Sequence, residues 1–265
     1  MIARLRFILI LALLVPATLL LVPVQLICLK FAPALSRKIP ILWHRMVLKL
    51  VGVRVHVHGG FTKDRPLMLV SNHVSWSDIV VLGSIDELCF IAKNEVKSWP
   101  GINYLSRLQR TVFVDRDRKR DAGVQADTIA ARLVQGDTMV LFAEGTTGNG
   151  NSLLGFKSAL FGAPQMALSQ SGVDQIYIQP VAIAYNTLHG MPLGRYHQTY
   201  ASWPGDLELL PHLVNFVKQG AFDVDVCFGE CLIFDANTKR KEMAQQIEAV
   251  VRDDFARLRR QYHQT

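Results

Sequence analysis

Residues 67–78 read LMLVSNHVSWSD, and they combine an apolar run with a histidine and an aspartate five positions apart. The apolar run 67–71 predicts a strand, and the residues from 78 to 83 predict a helix. In a regular helix, five positions separate two side chains by about 140°, so His73 and Asp78 would not meet there. They can meet if His73 lies on the turn after the strand and Asp78 lies in the first helical turn.

Short apolar runs alternate with helical patterns along most of the chain. Strands are predicted over 53–58, 67–71, 88–93, 111–115, 138–143, 176–185 and 223–228, and helices over 78–83, 121–135, 156–169 and 238–262. This alternation favours an α/β fold with a mixed, largely parallel sheet flanked by helices. No long linker divides the sequence after residue 51, so residues 52–265 are predicted to form one domain.

The amino-terminal part of the chain has a different character. Residues 7–29 contain no charged side chain and are long enough to enter or cross a hydrocarbon core of ~30 Å as a helix. Pro16 and Pro23 are expected to interrupt that helix, which allows either a kinked span or a re-entrant segment. A cleaved signal peptide and a buried core helix are the alternatives. Residues 40–51 predict an amphipathic helix at the lipid headgroups, so residues 1–51 form the predicted membrane anchor.

The distribution of charge supports a membrane partner. The net charge is +7, and the first 40 residues carry five basic side chains and no acidic one. Basic residues that follow the apolar segment favour a location on the inner membrane with residues 52–265 on the cytoplasmic side. A nucleic-acid partner is not expected, because the basic excess brackets an apolar segment instead of lying on a folded face. Four scattered cysteines predict free thiols and no metal site.

The pair His73 and Asp78 is the first candidate for chemistry. An imidazole held by a carboxylate can take a proton from a hydroxyl, because the carboxylate fixes the tautomer and stabilises the imidazolium. The alternative is that Asp78 caps the helix and His73 is an ordinary turn residue.

Two further candidate segments follow predicted strands. Residues 144–151 read EGTTGNGN, where glycines let backbone N–H groups approach a ligand closely. Residues 113–116 read FVDR, and Arg116 opens a basic cluster. A plain glycine turn and a solvated charged loop are the respective alternatives.

The order of these blocks, together with Gln179-Pro180-Val181, resembles the glycerolipid acyltransferase family that includes 1-acyl-glycerol-3-phosphate acyltransferases. The resemblance covers roughly residues 43–230. It implies a membrane-bound enzyme that moves a fatty acyl group from a carrier thioester to a lysolipid hydroxyl, without a metal or a covalent acyl-enzyme. By the same resemblance His73 is the base and Asp78 orients it.

The acceptor site is also assigned by this resemblance, to Arg116 together with Glu144, Gly145 and Thr146. One departure bears on the acceptor. Phosphatidate-forming members usually carry Arg after Glu-Gly-Thr, whereas this chain has Thr147, which cannot form a bidentate pair with phosphate. Arg116 and Lys157 are then the expected anion partners.

The run EGTTGNGN looks more like the bacterial branch that acylates lyso-ornithine lipid, so that acceptor is expected, with lysophosphatidic acid as the alternative. Acyl carrier protein is the expected donor partner, with acyl coenzyme A left open, and no resident cofactor is expected. A membrane-anchored lipid-binding protein without chemistry is the non-enzymatic alternative. The sequence leaves the oligomeric state open.

Overall fold

The computed structural model describes residues 1–115, 122–170, 173–205 and 207–262. Its helices are α1 (Ile2–Phe31), α2 (Pro33–Val51), α3 (Ser77–Gly83), α4 (Ile102–Leu108), α5 (Ala122–Val134), α6 (Gly162–Gln170), α7 (Leu209–Gln219) and α8 (Arg240–Gln261). Its strands are β1 (Arg54–His58), β2 (Leu67–Ser71), β3 (Leu88–Lys93), β4 (Val112–Val114), β5 (Thr138–Phe142), β6 (Gln175–Leu188), β7 (Met191–Pro192), β8 (Phe222–Phe228) and β9 (Leu232–Asp235). Short 3₁₀ helices cover Asn94–Ser98, Ser158–Phe161 and His197–Tyr200.

These strands form one mixed sheet in the order β1-β8-β6-β2-β5-β3-β4, with β7 and β9 also paired to β6. Strands β6, β2, β5, β3 and β4 run parallel to one another, while β8 is antiparallel to β6 and parallel to β1. The predicted mixed, largely parallel sheet flanked by helices is therefore confirmed. The carboxyl ends of β2, β5, β3 and β4 lie along one edge, where the candidate site is found.

Strand β2 packs against helices on both of its faces. Met68 and Val70 contribute to a core shared with α5, α6 and α8. Leu67 and Leu69 contribute to a second core shared with α1, α2, α3 and α7. A parallel strand that is covered on both faces has no polar side to expose, which explains the continuous apolar run in the sequence.

Most of the predicted elements are present with small differences at their ends. The prediction for 156–169 is wrong in its first half, where a 3₁₀ helix precedes α6. Residue 121, the predicted start of α5, lies outside the described residues. Helices α4 and α7 and strands β7 and β9 were not predicted.

The amino-terminal segment folds as a hairpin of two helices. Pro16 and Pro23 lie inside α1 without interrupting it, so the predicted break at these prolines is wrong. The chain turns at Ala32, which leaves helical geometry with φ −142° and ψ 69° ahead of Pro33. The second helix therefore begins at Pro33, seven positions before the predicted start at residue 40.

A side-chain hydrogen bond explains how α2 continues through Pro40. Proline has no N–H, so the carbonyl four positions earlier, at Ser36, receives no bond from the helix backbone. The Gln25 side chain on α1 donates from Nε2 to that oxygen at 2.9 Å, and also to Leu108 O at 2.8 Å. This one buried amide therefore joins α1 to α2 and α4.

Asn72 fixes the end of β2 against β6. Its side chain accepts a hydrogen bond from Ile183 N at 2.8 Å and donates one to Ile183 O at 3.0 Å, and it is almost fully buried. Asn72→Ala leaves both backbone groups without these partners, which should lower the free energy of unfolding by about 2–4 kcal/mol. Chemical unfolding in detergent measures this change.

The matched control is Asn103→Ala, because Asn103 donates a single hydrogen bond to Lys97 O at 3.1 Å near the surface. That variant should change stability by less than about 0.5 kcal/mol. Equal effects of the two substitutions would contradict the assigned role of Asn72.

Candidate active site

The turn between β2 and α3 brings the predicted pair together. His73 Nδ1 lies 2.8 Å from Asp78 Oδ2, and the Asp78 side chain is fully buried. The same oxygen accepts hydrogen bonds from Val74 N at 2.7 Å and Ser75 N at 3.0 Å. The carboxylate thus folds back over the turn that precedes its own helix, which is how residues five positions apart meet.

This bond selects the nitrogen of His73 that is available for chemistry. Because Nδ1 is used in the pair with Asp78, Nε2 is the ring nitrogen that can meet a substrate hydroxyl. The ring stacks on Phe142 at the end of β5, with a centroid distance of 3.9 Å and an interplanar angle of 13°. Its side chain remains 16% exposed, so the imidazole is held firmly but can still be reached.

The glycine-containing segment after β5 lies against the same turn. Gly148 donates a backbone hydrogen bond to His73 O at 2.8 Å, and Gly145 adopts a left-handed conformation with φ 75°. Thr146 is half-buried, whereas Thr147 is only 7% exposed. The segment therefore supports the backbone of His73, and Thr147 itself offers little surface to a ligand.

Glu144 is the second buried carboxyl group in this region. It is only 2% exposed, and no hydrogen-bond donor among the described residues reaches its Oε2. Burial raises the pKa of Glu144 to about 8, and the neighbouring charge of Asp78 adds to this increase. Glu144 consequently carries a proton over much of the neutral pH range.

A cavity of about 1370 Å³ opens at the carboxyl ends of β3, β4 and β5. Apolar side chains from these strands and from α5 and α6 line its interior, including Ile91, Leu141 and Met166. Gly145 and Lys157 are among its lining residues, so two predicted acceptor-site residues reach it. Arg116 lies outside the described residues.

Charged residues that were not predicted also line this cavity. They are Lys93, Glu95, Lys97 and Arg240. Two of the lysines could have been found, because ligands of parallel sheets bind beyond the carboxyl ends of strands, and 88–93 was a predicted strand. Arg240 is the first residue of helix α8, far along the chain, and no sequence pattern places it at this edge of the sheet.

The described residues contain no group of three or more His, Cys, Asp or Glu side chains placed to hold a metal ion. The expected independence from metals and cofactors stays a prediction.

The fold and the buried histidine–carboxylate pair define a class of protein. The chain belongs to the acyltransferase family, whose sequence profile matches residues 53–184, and it is an enzyme of that class. The resemblance seen in the sequence is thereby confirmed.

The chain is similar to several named proteins. The chain is 48% identical over 240 residues to the lyso-ornithine lipid O-acyltransferase of Rhizobium meliloti (strain 1021), covering 91% of this chain and 82% of that protein. It is also 48% identical over 252 residues to the protein of the same name from Brucella abortus (strain 2308), covering 95% and 94%. The crystal structure of the 1-acyl-sn-glycerophosphate (LPA) acyltransferase PlsC from Thermotoga maritima matches with a TM-score of 0.68 at 22% identity, over 97% of this chain and 95% of that one. That match shows the shared fold.

Glu144 should make stability depend on pH. Its pKa rises from the ordinary 4.5 to about 8 on folding, so between these values the folded protein holds a proton that the unfolded chain releases. Stability therefore falls as the pH rises through this window. In the wild type the free energy of unfolding should fall by up to about 1.4 kcal/mol per pH unit, and Glu144→Gln should remove this fall. Unfolding curves recorded between pH 5 and 8.5 measure it.

The control is Glu230→Gln, which changes an exposed carboxyl group. It should keep the wild-type slope. An unchanged slope in Glu144→Gln would show that Glu144 does not retain its proton on folding.

Proposed function

We propose that this protein is a membrane-bound lysolipid O-acyltransferase that transfers a fatty acyl group from a carrier thioester to the free hydroxyl of lyso-ornithine lipid. Its close similarity to two proteins of that name, over almost the whole chain, supports the acceptor. The observation that carries the chemistry is the bond between His73 and the buried Asp78. Family membership favours an enzyme over the lipid-binding alternative.

In the proposed mechanism, His73 Nε2 accepts the proton of the acceptor hydroxyl while that oxygen attacks the carbonyl carbon of the thioester. The tetrahedral intermediate then expels the carrier thiolate, which takes the proton back from the imidazolium. The products are an ester and a free thiol, so no acyl-enzyme is needed. Asp78 stabilises the imidazolium that forms between the two steps.

The charged side chains of the cavity support a zwitterionic headgroup. Lys93, Lys97 and Lys157 supply positive charge for the ornithine carboxylate, and Glu95 supplies negative charge for its ammonium. The family resemblance also assigns Arg116, which lies outside the described residues, to the acceptor site. The alternative acceptor, lysophosphatidic acid, is favoured by the excess of basic over acidic groups in the same cavity.

Thr147 supports the zwitterionic acceptor indirectly. It is buried, so its contribution is the absence of a guanidinium at this position and not a contact with the headgroup. By the family resemblance, an arginine at this position would bind an acceptor phosphate, and it would repel the ornithine ammonium.

The hairpin of α1 and α2 supports attachment to one side of the membrane. Arg6 donates to Val51 O, to Lys218 O at 3.2 Å and to Gln219 O at 2.7 Å, and Gln25 is tied to α2 and α4. These two residues are separated by about 28 Å of helix. A helix bound to the domain near both ends cannot cross the bilayer while the domain stays in water.

Helix α1 of the hairpin exposes many large apolar side chains. The most exposed of these are Ile2, Leu5, Ile8, Leu9, Leu13, Leu19, Leu20, Ile27 and Phe31. Such an exposed apolar surface on a soluble domain is typical of a membrane contact. We infer that the hairpin lies in the cytoplasmic leaflet of the inner membrane, with the active site beside it.

A side-by-side assay tests the function. The protein is supplied with an acyl carrier thioester and with either lyso-ornithine lipid or lysophosphatidic acid of the same chain length. The expected result is a higher kcat/KM with lyso-ornithine lipid. His73→Ala should lower turnover with both acceptors by ~10²–10⁴, the usual contribution of a general base.

The control variant is His189→Asn, which changes an exposed histidine beside β7. It should retain wild-type turnover. Thr147→Arg should move the ratio of kcat/KM values toward lysophosphatidic acid by about tenfold. A wild-type preference for lysophosphatidic acid would replace the proposed acceptor, and a fully active His73→Ala would overturn the mechanism.

Thiol labelling tests the attachment to one leaflet. Arg4→Cys places a thiol at an exposed, charged position in the first turn of α1, and Met191→Cys marks the domain. In sealed vesicles a membrane-impermeant reagent should label both positions from the same side, because α1 does not cross the bilayer. Labelling of the two positions from opposite sides would show instead that α1 spans the membrane.

A further inference from the structure

We propose that Tyr185 and Ser77 form a positioning pair that holds the second oxygen of Asp78 and sets the proton affinity of His73. This inference rests on the proposed function, in which His73 is the base. Neither residue was among the candidates from the sequence, and neither is needed to bring His73 and Asp78 together.

The two oxygens of Asp78 have separate sets of partners. Oδ2 is shared by His73 and two backbone N–H groups, as described above. Oδ1 accepts a hydrogen bond from the hydroxyl of Tyr185 at 2.9 Å. The Tyr185 hydroxyl in turn lies 2.6 Å from Ser77 Oγ.

The direction of these hydrogen bonds follows from the number of protons available. An ionised carboxylate only accepts, so Tyr185 must donate its single hydroxyl proton to Asp78. Ser77 then has to donate its own proton to the Tyr185 oxygen. The order Ser77 to Tyr185 to Asp78 is therefore the arrangement that satisfies all three groups.

Packing holds the Tyr185 ring in place. It is almost fully buried, and its ring meets Phe216 and Phe222 edge to face at 6.5 Å each. Burial, together with the nearby charge of Asp78, holds the pKa of Tyr185 well above its ordinary value of 10. The hydroxyl thus remains a donor at every pH at which the enzyme is assayed.

The Tyr185 hydroxyl should lower the affinity of His73 for a proton. A donor on Oδ1 spreads the negative charge of Asp78 and weakens its attraction for a proton on His73. Without that donor Asp78 still has its three partners on Oδ2, so it stays in place but stabilises the imidazolium more strongly. The imidazolium should then be more stable, and a higher pH is needed to keep the base neutral. Glu144 is a further titratable group beside Asp78, and the variants at Tyr185 and Ser77 leave it in place.

The test compares pH profiles of kcat/KM for the full-length enzyme in lipid–detergent micelles. Tyr185→Phe keeps the ring and removes only the hydroxyl. It should move the acid limb upward by on the order of 0.5–1 pH unit and lower kcat about three- to tenfold. Ser77→Ala should move the limb in the same direction by a smaller amount.

The matched control is Tyr177→Phe, in the same strand β6. The Tyr177 hydroxyl accepts a hydrogen bond from Gln175 Nε2 at 2.6 Å and makes no hydrogen bond to Asp78. This variant should keep the wild-type profile. Titration of His73 by NMR in the unliganded protein provides a second measurement that does not depend on turnover.

The possible results separate this inference from the proposed function. Suppose that His73→Ala is inactive and that Tyr185→Phe shifts neither the pH profile nor the NMR titration of His73. This result would overturn only the positioning role of Tyr185 and Ser77. Full activity of His73→Ala would overturn the proposed mechanism as well. A loss of turnover in Tyr185→Phe without any shift would assign Tyr185 a purely structural role.

Discussion

The burial of one charged carboxylate shapes the whole region around the active site. Asp78 lies in the core, where an ionised group is stable only if hydrogen-bond donors replace its water. Four donors do so, from His73, Val74, Ser75 and Tyr185. Three of them come from the turn after β2, so the turn must wrap around the carboxylate and thereby presents His73 at the strand end.

The fourth donor links this turn to the far end of β6. That strand runs from Gln175 to Leu188, well beyond the part that pairs with β2, and Tyr185 belongs to the extension. Asn72 ties the same two segments together through Ile183. The geometry around Asp78 thus depends on the length of β6, because a shorter strand would leave one oxygen of Asp78 without its partner.

Polar backbone groups in the amino-terminal hairpin also need hydrogen-bond partners. In an apolar environment the carbonyls at helix ends and before prolines need donors. Arg6 meets those at the ends of α2 and α7, and Gln25 meets the one freed by Pro40. These few polar side chains face the domain, while many large apolar side chains of α1 stay exposed.

Most of the sheet could be predicted from the sequence, because strands buried on both faces are continuous apolar runs. The pairing of His73 with Asp78 could be predicted as well, because His73 on the turn and Asp78 in the first helical turn can meet, and the structure shows that they do. The start of α2 could not, since Pro40 is accommodated by a side chain from another helix. Tyr185 was also out of reach, because it meets Asp78 only through the pairing of distant strands.

The two buried carboxyl groups near His73 differ because their surroundings differ. Asp78 accepts four hydrogen bonds. Glu144 accepts backbone hydrogen bonds from Leu154 and His73, but its Oε2 has no donor among the described residues and burial raises its pKa to about 8. A neutral Glu144 places no second negative charge beside Asp78, so in the proposed mechanism the imidazolium at His73 is balanced by one carboxylate. The Tyr185 hydroxyl on Oδ1 spreads the charge of that carboxylate, and under the proposed mechanism this helps the imidazolium to return its proton to the leaving thiolate.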